Sequence, residues 1–442
     1  MADAVVLYST PTHLNSLSPL AALIADHYPS ISVLLLSTAA PPPSLPPSVA
    51  YCRLPTPPLP PDAHSDPSFL MEIPRLCNPD FRRFLAETSG KFTIKAVVLD
   101  FFCNSAFEVS NSFDIPTYFC VTTAAIGLCN LLYWPIIHRN IPLDMAEVKD
   151  FIHIPGCTAL LSKDLPAVLL RRRSNFYKQH LETSMTMRKS AGIIVNTFYA
   201  LEVRAMEALV NGLCVPDAPS SPPIYSMGPL ITAAAGGEHE CLRWLDLQPS
   251  KSVVFLCFGR EGVFSGEQLR ETAAGLENSG HRFLWTVRGR GGERAVLPEG
   301  FVERTKGRGI VVEEWAPQRA VLSHDSVGAF VTHCGQSSVL EAVAAGVPMV
   351  GWPLYAEQRL SRAGLVEEAR LALPMEEEPG GGGLVTAAEV ERRIREVMES
   401  KRGEEIRRRV GEMKVSVAAA VRKGGSSAVA LEKFMAAVTG RS

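Results

Sequence analysis

The sequence predicts an α/β fold of two doubly wound, parallel-sheet domains. Short, continuously apolar, β-branched runs recur along the chain, stretches with helical patterning separate them, and the series occurs twice, on either side of a proline-rich span near 216–240. Runs that are apolar on both faces fit parallel strands covered on two sides, because a sheet with one wet face would alternate. At 442 residues the chain exceeds one ordinary domain and fits two.

In the first half the runs at 4–8, 31–36, 96–99, 116–121 and 192–195 read as strands, with a last one near 224–227. The span 41–61 holds ten prolines in 21 residues and reads as a long surface loop, too proline-dense for helix or strand. In the second half the strands are expected at 253–258, 282–287, 309–312, 327–331 and 349–351. The glycines at 380–383 suggest a loop, and 426–438 a final helix. The boundaries that follow are a first domain over 1–228, a linker at 229–240, a second domain over 241–425, and a terminal helix at 426–442 that packs back on the first domain.

Composition narrows the function. With 46% apolar and 20% charged residues the chain can bury a large core. A net charge of −2 argues against nucleic-acid binding. The ten cysteines contain no Cys-x-x-Cys pair, so no zinc site is expected, and the pattern suits a reducing compartment. The start, MADAVVLYST, lacks a basic n-region, which predicts a cytoplasmic protein. The uncharged window 115–137 contains Pro116, Asn130 and Pro135 and reads as a buried strand and helix rather than a membrane span. A phosphate loop of the G-x-x-x-x-G-K-[ST] type, a G-x-G-x-x-G turn after the first strand, a G-x-S-x-G elbow and an Asp-x-Asp pair are all missing.

The informative stretch is THCGQSSVLEAV at 332–343, a strand running through His333 and Gly335 into a helix expected to begin near Ser337. Taken locally it fits two readings: Ser337 capping a helix, or an anion site. In the second, unpaired backbone N–H groups and the helix dipole meet a diphosphate, Gly335 admits the ligand to the backbone, and Ser338 and His333 donate further bonds. The flanks favour the second reading. Upstream stand Trp315, Ala316 and Gln318; downstream stand Glu341 and then WPLYAEQ, ending in Glu357 and Gln358. An indole can stack on a base, a carboxylate can accept both hydroxyls of a ribose, and a Glu-Gln pair can hold sugar hydroxyls.

Together, 315–358 resembles the plant secondary-product signature of the family-1 UDP-dependent glycosyltransferases. The resemblance extends to TPTHL near the start, VVLDFFC at 97–103, GIIVNTF at 192–198 and FLCFG at 255–259. It implies a GT-B architecture of two facing Rossmann-like halves, with the acceptor and catalytic base on the first and the UDP-sugar on the second. It further implies that Trp315 stacks on uracil with Ala316 and Gln318 beside the nucleoside, and that Glu341 holds the ribose. His333 and Ser338 would take the diphosphate, and Glu357 with Gln358 the transferred sugar; Gly335, Gln336, Ser337, Gly259 and Arg260 are counted with the donor-binding residues. Glutamine at position 358 goes with glucose in this family. Thr122, at a strand end, matches a position that touches the sugar.

His13 follows the first strand and Asp100 ends another, which places both at the carboxyl edge of one sheet. An imidazole titrates near neutrality and can take a proton from an acceptor hydroxyl, while a carboxylate behind it fixes the tautomer. The resemblance makes this pair the catalytic base and its partner, with inversion at the anomeric carbon and no metal. Segments 154–166, 192–198 and 212–230 are similar to plant enzymes acting on flavonoids, chalcones and related phenols, so a phenolic acceptor is expected; a monomer is a separate expectation. The chain departs from the family at Gln336 and Ser337, where Trp-Asn is usual, and at Arg260 after Gly259, where serine is usual. Arg260 can pair with the diphosphate or turn away with Glu261. Alternatives left open are C-glycosylation on the same architecture, a weakened relative that binds without turnover, and a UDP-sugar epimerase.

Overall fold

The apolar runs of the first half build one sheet from β1 (Ala2–Tyr8), β2 (Ser32–Ser37), β3 (Val49–Arg53), β4 (Phe92–Asp100) and β5 (Thr117–Val121). After a short antiparallel pair, β6 (Phe151–Ile152) and β7 (Leu160–Leu161), the sheet is completed by β8 (Gly192–Val195) and β9 (Ile224–Ser226). Its order is β3-β2-β1-β4-β5-β8-β9, with every pairing parallel. The coordinates are a computed structural model that describes residues 1–60, 66–232, 239–289, 295–380 and 382–440. Within the expected linker 229–240, residues 233–238 lie outside that description, as do Pro61 of the proline-rich span and Gly381 of the glycine loop.

The second series supplies β10 (Val253–Cys257), β11 (Arg282–Val287), β12 (Gly309–Glu313), β13 (Val327–Thr332), β14 (Met349–Gly351) and β15 (Ala372–Pro374). Their order is β12-β11-β10-β13-β14-β15, again parallel throughout. The central strands β10 and β13 are wholly buried, and Phe255 stacks on Phe330 across them at 5.1 Å. The chain divides into two units, Met1–Ala233 with Ala419–Ser442, and Ala234–Ala418.

In the first unit the helix Leu14–His27 buries Leu14, Leu17, Leu20, Ala21 and Ile24, a one-sided apolar stripe at helical spacing, against the sheet. The last helix, Ser426–Thr439, covers the same sheet: Phe434 packs edge-on against Tyr118 and Tyr225. The uncharged window resolves into β5 and the helix Ala125–Asn140, separated by Thr122–Ala124. Among the described residues no helix is long and apolar enough to cross a membrane.

The strands that differ from expectation are β3, the antiparallel pair β6–β7 and β15. The proline-rich span is not loop throughout: its proline-free interval Val49–Arg53 pairs with β2 from Val33↔Val49 to Ser37↔Arg53. It lies at the sheet edge, where flanking prolines remove no ladder donor. The pair β6–β7 and the strand β15, of two or three residues each, were not set apart from the segments around them in the sequence.

Candidate active site

Strands β1 and β4 are neighbours, with Tyr8 opposite Leu99, so the residues that follow them emerge together at the carboxyl edge of the first sheet. This is also where the strand order reverses, the position at which open α/β sheets carry their ligands. His13 precedes the helix Leu14–His27, and its Nδ1 lies 2.8 Å from Oδ1 of Asp100. Asp100 is fully buried, whereas the His13 side chain keeps 16% of its surface exposed.

Among the described residues each oxygen of Asp100 has two partners. Oδ1 takes His13 Nδ1 at 2.8 Å and the Phe102 N–H at 3.2 Å; Oδ2 takes the Thr10 N–H at 3.1 Å and the Thr10 hydroxyl. Burial pushes the carboxyl towards the neutral form, but the adjacent imidazole and the Thr10 donors outweigh it and hold its pKa below the ordinary value. The imidazole stacks against Phe102 at 4.8 Å and Phe101 at 5.3 Å, which fixes its plane. With Nδ1–H donating to the carboxylate, Nε2 is the basic nitrogen.

In the second unit β13 ends at Thr332, Cys334 turns the chain in the left-handed region (φ 67°), and the helix Gln336–Ala345 follows. That helix starts one residue before Ser337. Gly335 occupies its N-cap position and, among the described residues, no side chain caps it. The capping reading of Ser337 is therefore overturned: the serine lies inside the first turn and is exposed. The first N–H groups of the helix have no intrahelical acceptor, and the dipole places partial positive charge there. The first unit treats its comparable helix differently. There Glu202 accepts from the N–H groups of Ala125 (2.9 Å) and Ile126 (3.1 Å), which blocks the start of Ala125–Asn140 with a carboxylate.

His333 is 6% exposed and, among the described residues, its Nδ1 has no hydrogen-bond partner. Burial pulls its pKa down to about 4, against a smaller opposing effect from the Cys257 backbone, so the ring is neutral at pH 7. Its Nε2 edge occupies the space that a Cβ would take at two glycines. A Cβ on Gly335 would sit 2.5 Å from Nε2, and one on Gly259 2.7 Å. Both glycines make room for the imidazole, a role for Gly335 that stands beside the expected admission of a ligand to the backbone.

Gln318, at the start of the helix Gln318–Ser323, donates through Nε2 to Ser338 Oγ (3.1 Å) and Glu341 Oε2 (2.7 Å). Ser338 and Glu341 stand three apart on one helix face, which brings the three side chains together. Burial raises the Glu341 pKa, opposed by the Gln318 bond and by Arg319. Trp315 is 56% exposed, with Ala316 buried behind it and His239 edge-on at 5.9 Å. Beyond β14, Gln358 is buried and its side-chain carbonyl accepts from the N–H groups of Leu354 (2.9 Å) and Tyr355 (3.0 Å), which directs hydrogen-bonding capacity to its amide nitrogen. Glu357 precedes it, half-buried, at the helix N-cap. Gln336 is buried, Arg260 is exposed and accepts from Arg288 through its backbone carbonyl, and Thr122 is buried just past β5.

The structure therefore gathers Gln318, Ser338 and Glu341 in one hydrogen-bonded set, His333 with Gly259 and Gly335 in another, and His13 with Asp100 in the first unit. Sequence reasoning missed Thr10, Phe101, Phe102 and Glu202. The first three flank recognised positions in TPTH and LDFF, and that adjacency was the available signal; Glu202 left none. Among the described residues no three His, Cys, Asp or Glu side chains gather as a metal site.

A family model described as UDP-glucoronosyl and UDP-glucosyl transferase matches residues 219–400. Over 436 residues the chain is 49% identical to baicalein 7-O-glucuronosyltransferase of Scutellaria baicalensis, covering 94% of this chain and 98% of that protein. The chain belongs to this glycosyltransferase family. It is also 44% identical to anthocyanidin 5,3-O-glucosyltransferase of a Rosa hybrid cultivar, over 98% of both chains. Among solved structures, Phytolacca americana UGT2 with UDP-2-fluoro-glucose and pterostilbene matches with a TM-score of 0.89 at 34% identity, over 99% of this chain and 100% of that one. A Polygonum tinctorium UDP-glucosyltransferase capable of glucosylating indoxyl matches with a TM-score of 0.91 at 35% identity, over 99% of both. The two parallel-sheet units are those of the GT-B fold, and the chain is an enzyme that uses a UDP-sugar donor.

Proposed function

We propose that this glycosyltransferase moves glucose from UDP-glucose to a phenolic small molecule of the flavonoid or chalcone type, inverting the anomeric centre without a metal. The observation that carries the reading is the His13–Asp100 pair, a reachable imidazole oriented by a fully buried carboxylate at 2.8 Å. His13 Nε2 takes the acceptor hydroxyl proton as the phenolic oxygen bonds to the anomeric carbon. The bond from that carbon to the UDP oxygen breaks and its electron pair leaves with UDP. Asp100 stabilises the imidazolium that forms.

In this reading residues 1–228 bind the acceptor and supply the base, and residues 241–425 bind the donor, joined by the linker 229–240. Trp315 stacks on uracil, with Ala316 and Gln318 beside the nucleoside and Glu341 on the ribose. The uncapped start of Gln336–Ala345, with Ser337, Ser338 and the neutral N–H of His333, receives the diphosphate as its charge develops. Gln358, through its amide nitrogen, and Glu357 hold the sugar, with Thr122 as a further contact. Arg260, beyond Gly259, is a charge-assisted partner for the diphosphate.

The phenolic acceptor is supported by relatives named for baicalein, anthocyanidin and isoflavone substrates. A glucuronosyl donor is the second reading, favoured by the 49% identity to a glucuronosyltransferase. The test incubates the protein with UDP-glucose or UDP-glucuronate and a panel of flavonoids and chalcones, with products read by mass and by the anomeric proton coupling. An inverted O-glucoside supports the proposal. A glucuronide as main product replaces the donor, a C-glycoside replaces the bond formed, and donor uptake with no product from any acceptor identifies a non-catalytic relative.

A further inference from the structure

Behind the His13–Asp100 pair lies a residue that touches both members. Thr10 is 4% exposed and closes the turn between β1 and the helix Leu14–His27: its carbonyl accepts from the His13 N–H at 3.2 Å. Pro11, at the second position of that turn, fixes the local backbone angle. From the same residue the backbone N–H, at 3.1 Å, and the side-chain hydroxyl both reach Oδ2 of Asp100. Among the described residues the hydroxyl and the imidazole are the side-chain donors on this carboxylate, one on each oxygen.

We propose that Thr10 is a positioning residue for the proton transfer: its hydroxyl locks Asp100 so that Oδ1 faces His13 Nδ1 as an ionised acceptor. The inference rests on the reading of His13 as the base. A buried carboxylate that loses one of two donors on an oxygen becomes more basic and can swing about the bond to its remaining partners, and either change disturbs the imidazole it orients. Other titratable groups around Asp100 are Tyr8 on β1, Cys103 in the turn after β4 and Cys120 on β5. Burial raises all three, so they stay neutral across the working range and the hydroxyl of Thr10 has no charged competitor among them.

The test compares Thr10→Val, which keeps shape and removes the hydroxyl, with Thr10→Ser, which keeps the hydroxyl. Steady-state rates are measured against pH with UDP-glucose and the fastest phenol of the panel above. T10V is expected to lose about ten- to a hundredfold in kcat, the scale of one hydrogen bond to a charged group, with KM for both substrates within about twofold. The acid limb of its kcat profile should move to higher pH, since the more basic carboxylate keeps the pair protonated further up the scale. T10S should follow the parent in both. If T10V does not fold, Thr10→Cys, with a weak S–H donor, must show the same displaced limb. A T10V or T10C enzyme with the parent's kcat and acid limb overturns the proposal, as does a T10S enzyme that behaves like T10V. His13→Ala separates the two layers: retained O-transfer there removes the base assignment itself, whereas an inactive H13A beside a parental T10V removes only the role of Thr10.

Discussion

Replacing Gly335 with alanine puts a methyl carbon 2.5 Å from His333 Nε2. An ordinary contact needs about 3.5 Å, so the ring must yield by about 1 Å. It cannot yield freely, because the backbone of Gly259 packs the same edge, with its own absent Cβ only 2.7 Å away. Gly335 has an ordinary φ of −65°, so the backbone itself tolerates alanine and the cost arises from the side-chain collision. Overpacking of this kind costs about 1–3 kcal/mol. That cost falls on folding; for UDP, loss of a hydrogen bond from His333 to the charged diphosphate, about 1.5–3 kcal/mol, should weaken binding by about ten- to 150-fold. Titration calorimetry with UDP measures this directly, and repeating G335A in a His333→Ala background completes a double-mutant cycle. With the ring removed, the added methyl should have no further effect on UDP affinity. An equal loss of affinity in both backgrounds would refute the reasoning and restore the alternative in which Gly335 serves a close approach of ligand to backbone.

Three further outcomes follow from other parts of the structure. Trp315 is 56% exposed, so Trp315→Ala should leave the melting temperature nearly unchanged while UDP affinity falls by about 1–3 kcal/mol, the worth of one base–aromatic stack; calorimetry and thermal melts separate the two effects. His333 has a folded-state pKa pulled to about 4 from an unfolded value of 6.5, so between those values the unfolded chain binds more protons and stability falls as pH falls. The contribution is up to about 3 kcal/mol, and His333→Asn should flatten the decline in melting temperature between pH 6.5 and 4 relative to the parent. Glu202→Ala removes the acceptor from two N–H groups of the helix Ala125–Asn140, at a cost of about 0.5–2 kcal/mol for a lost cap, and should lower the melting temperature without changing UDP affinity.

The sheets were legible because continuous apolar runs such as 253–257 and 327–332 have little option but a buried parallel strand. Strand β3 was hidden by its prolines, whose composition dominated a five-residue interval that contains none. The juxtaposition of His13 and Asp100 could be anticipated from two strand ends on one sheet edge, and the structure brings them to 2.8 Å. What sequence could not supply were contacts fixed by packing over long separations. Glu202 caps a helix 77 residues away, and the room that Gly259 and Gly335 leave for the His333 ring emerges only once the ring is seen beside them. Thr10 stands three residues before the histidine, and that adjacency was its one signal; its tie to Asp100 spans 90 residues and shows only in the structure.

The most direct test of the account is the rate of O-glucoside formation by His13→Ala, with UDP uptake measured on the same preparation. The account predicts that turnover falls by about a hundredfold or more, the scale of a lost general base, while UDP affinity stays within about twofold of the parent. Undiminished O-transfer by H13A would contradict it.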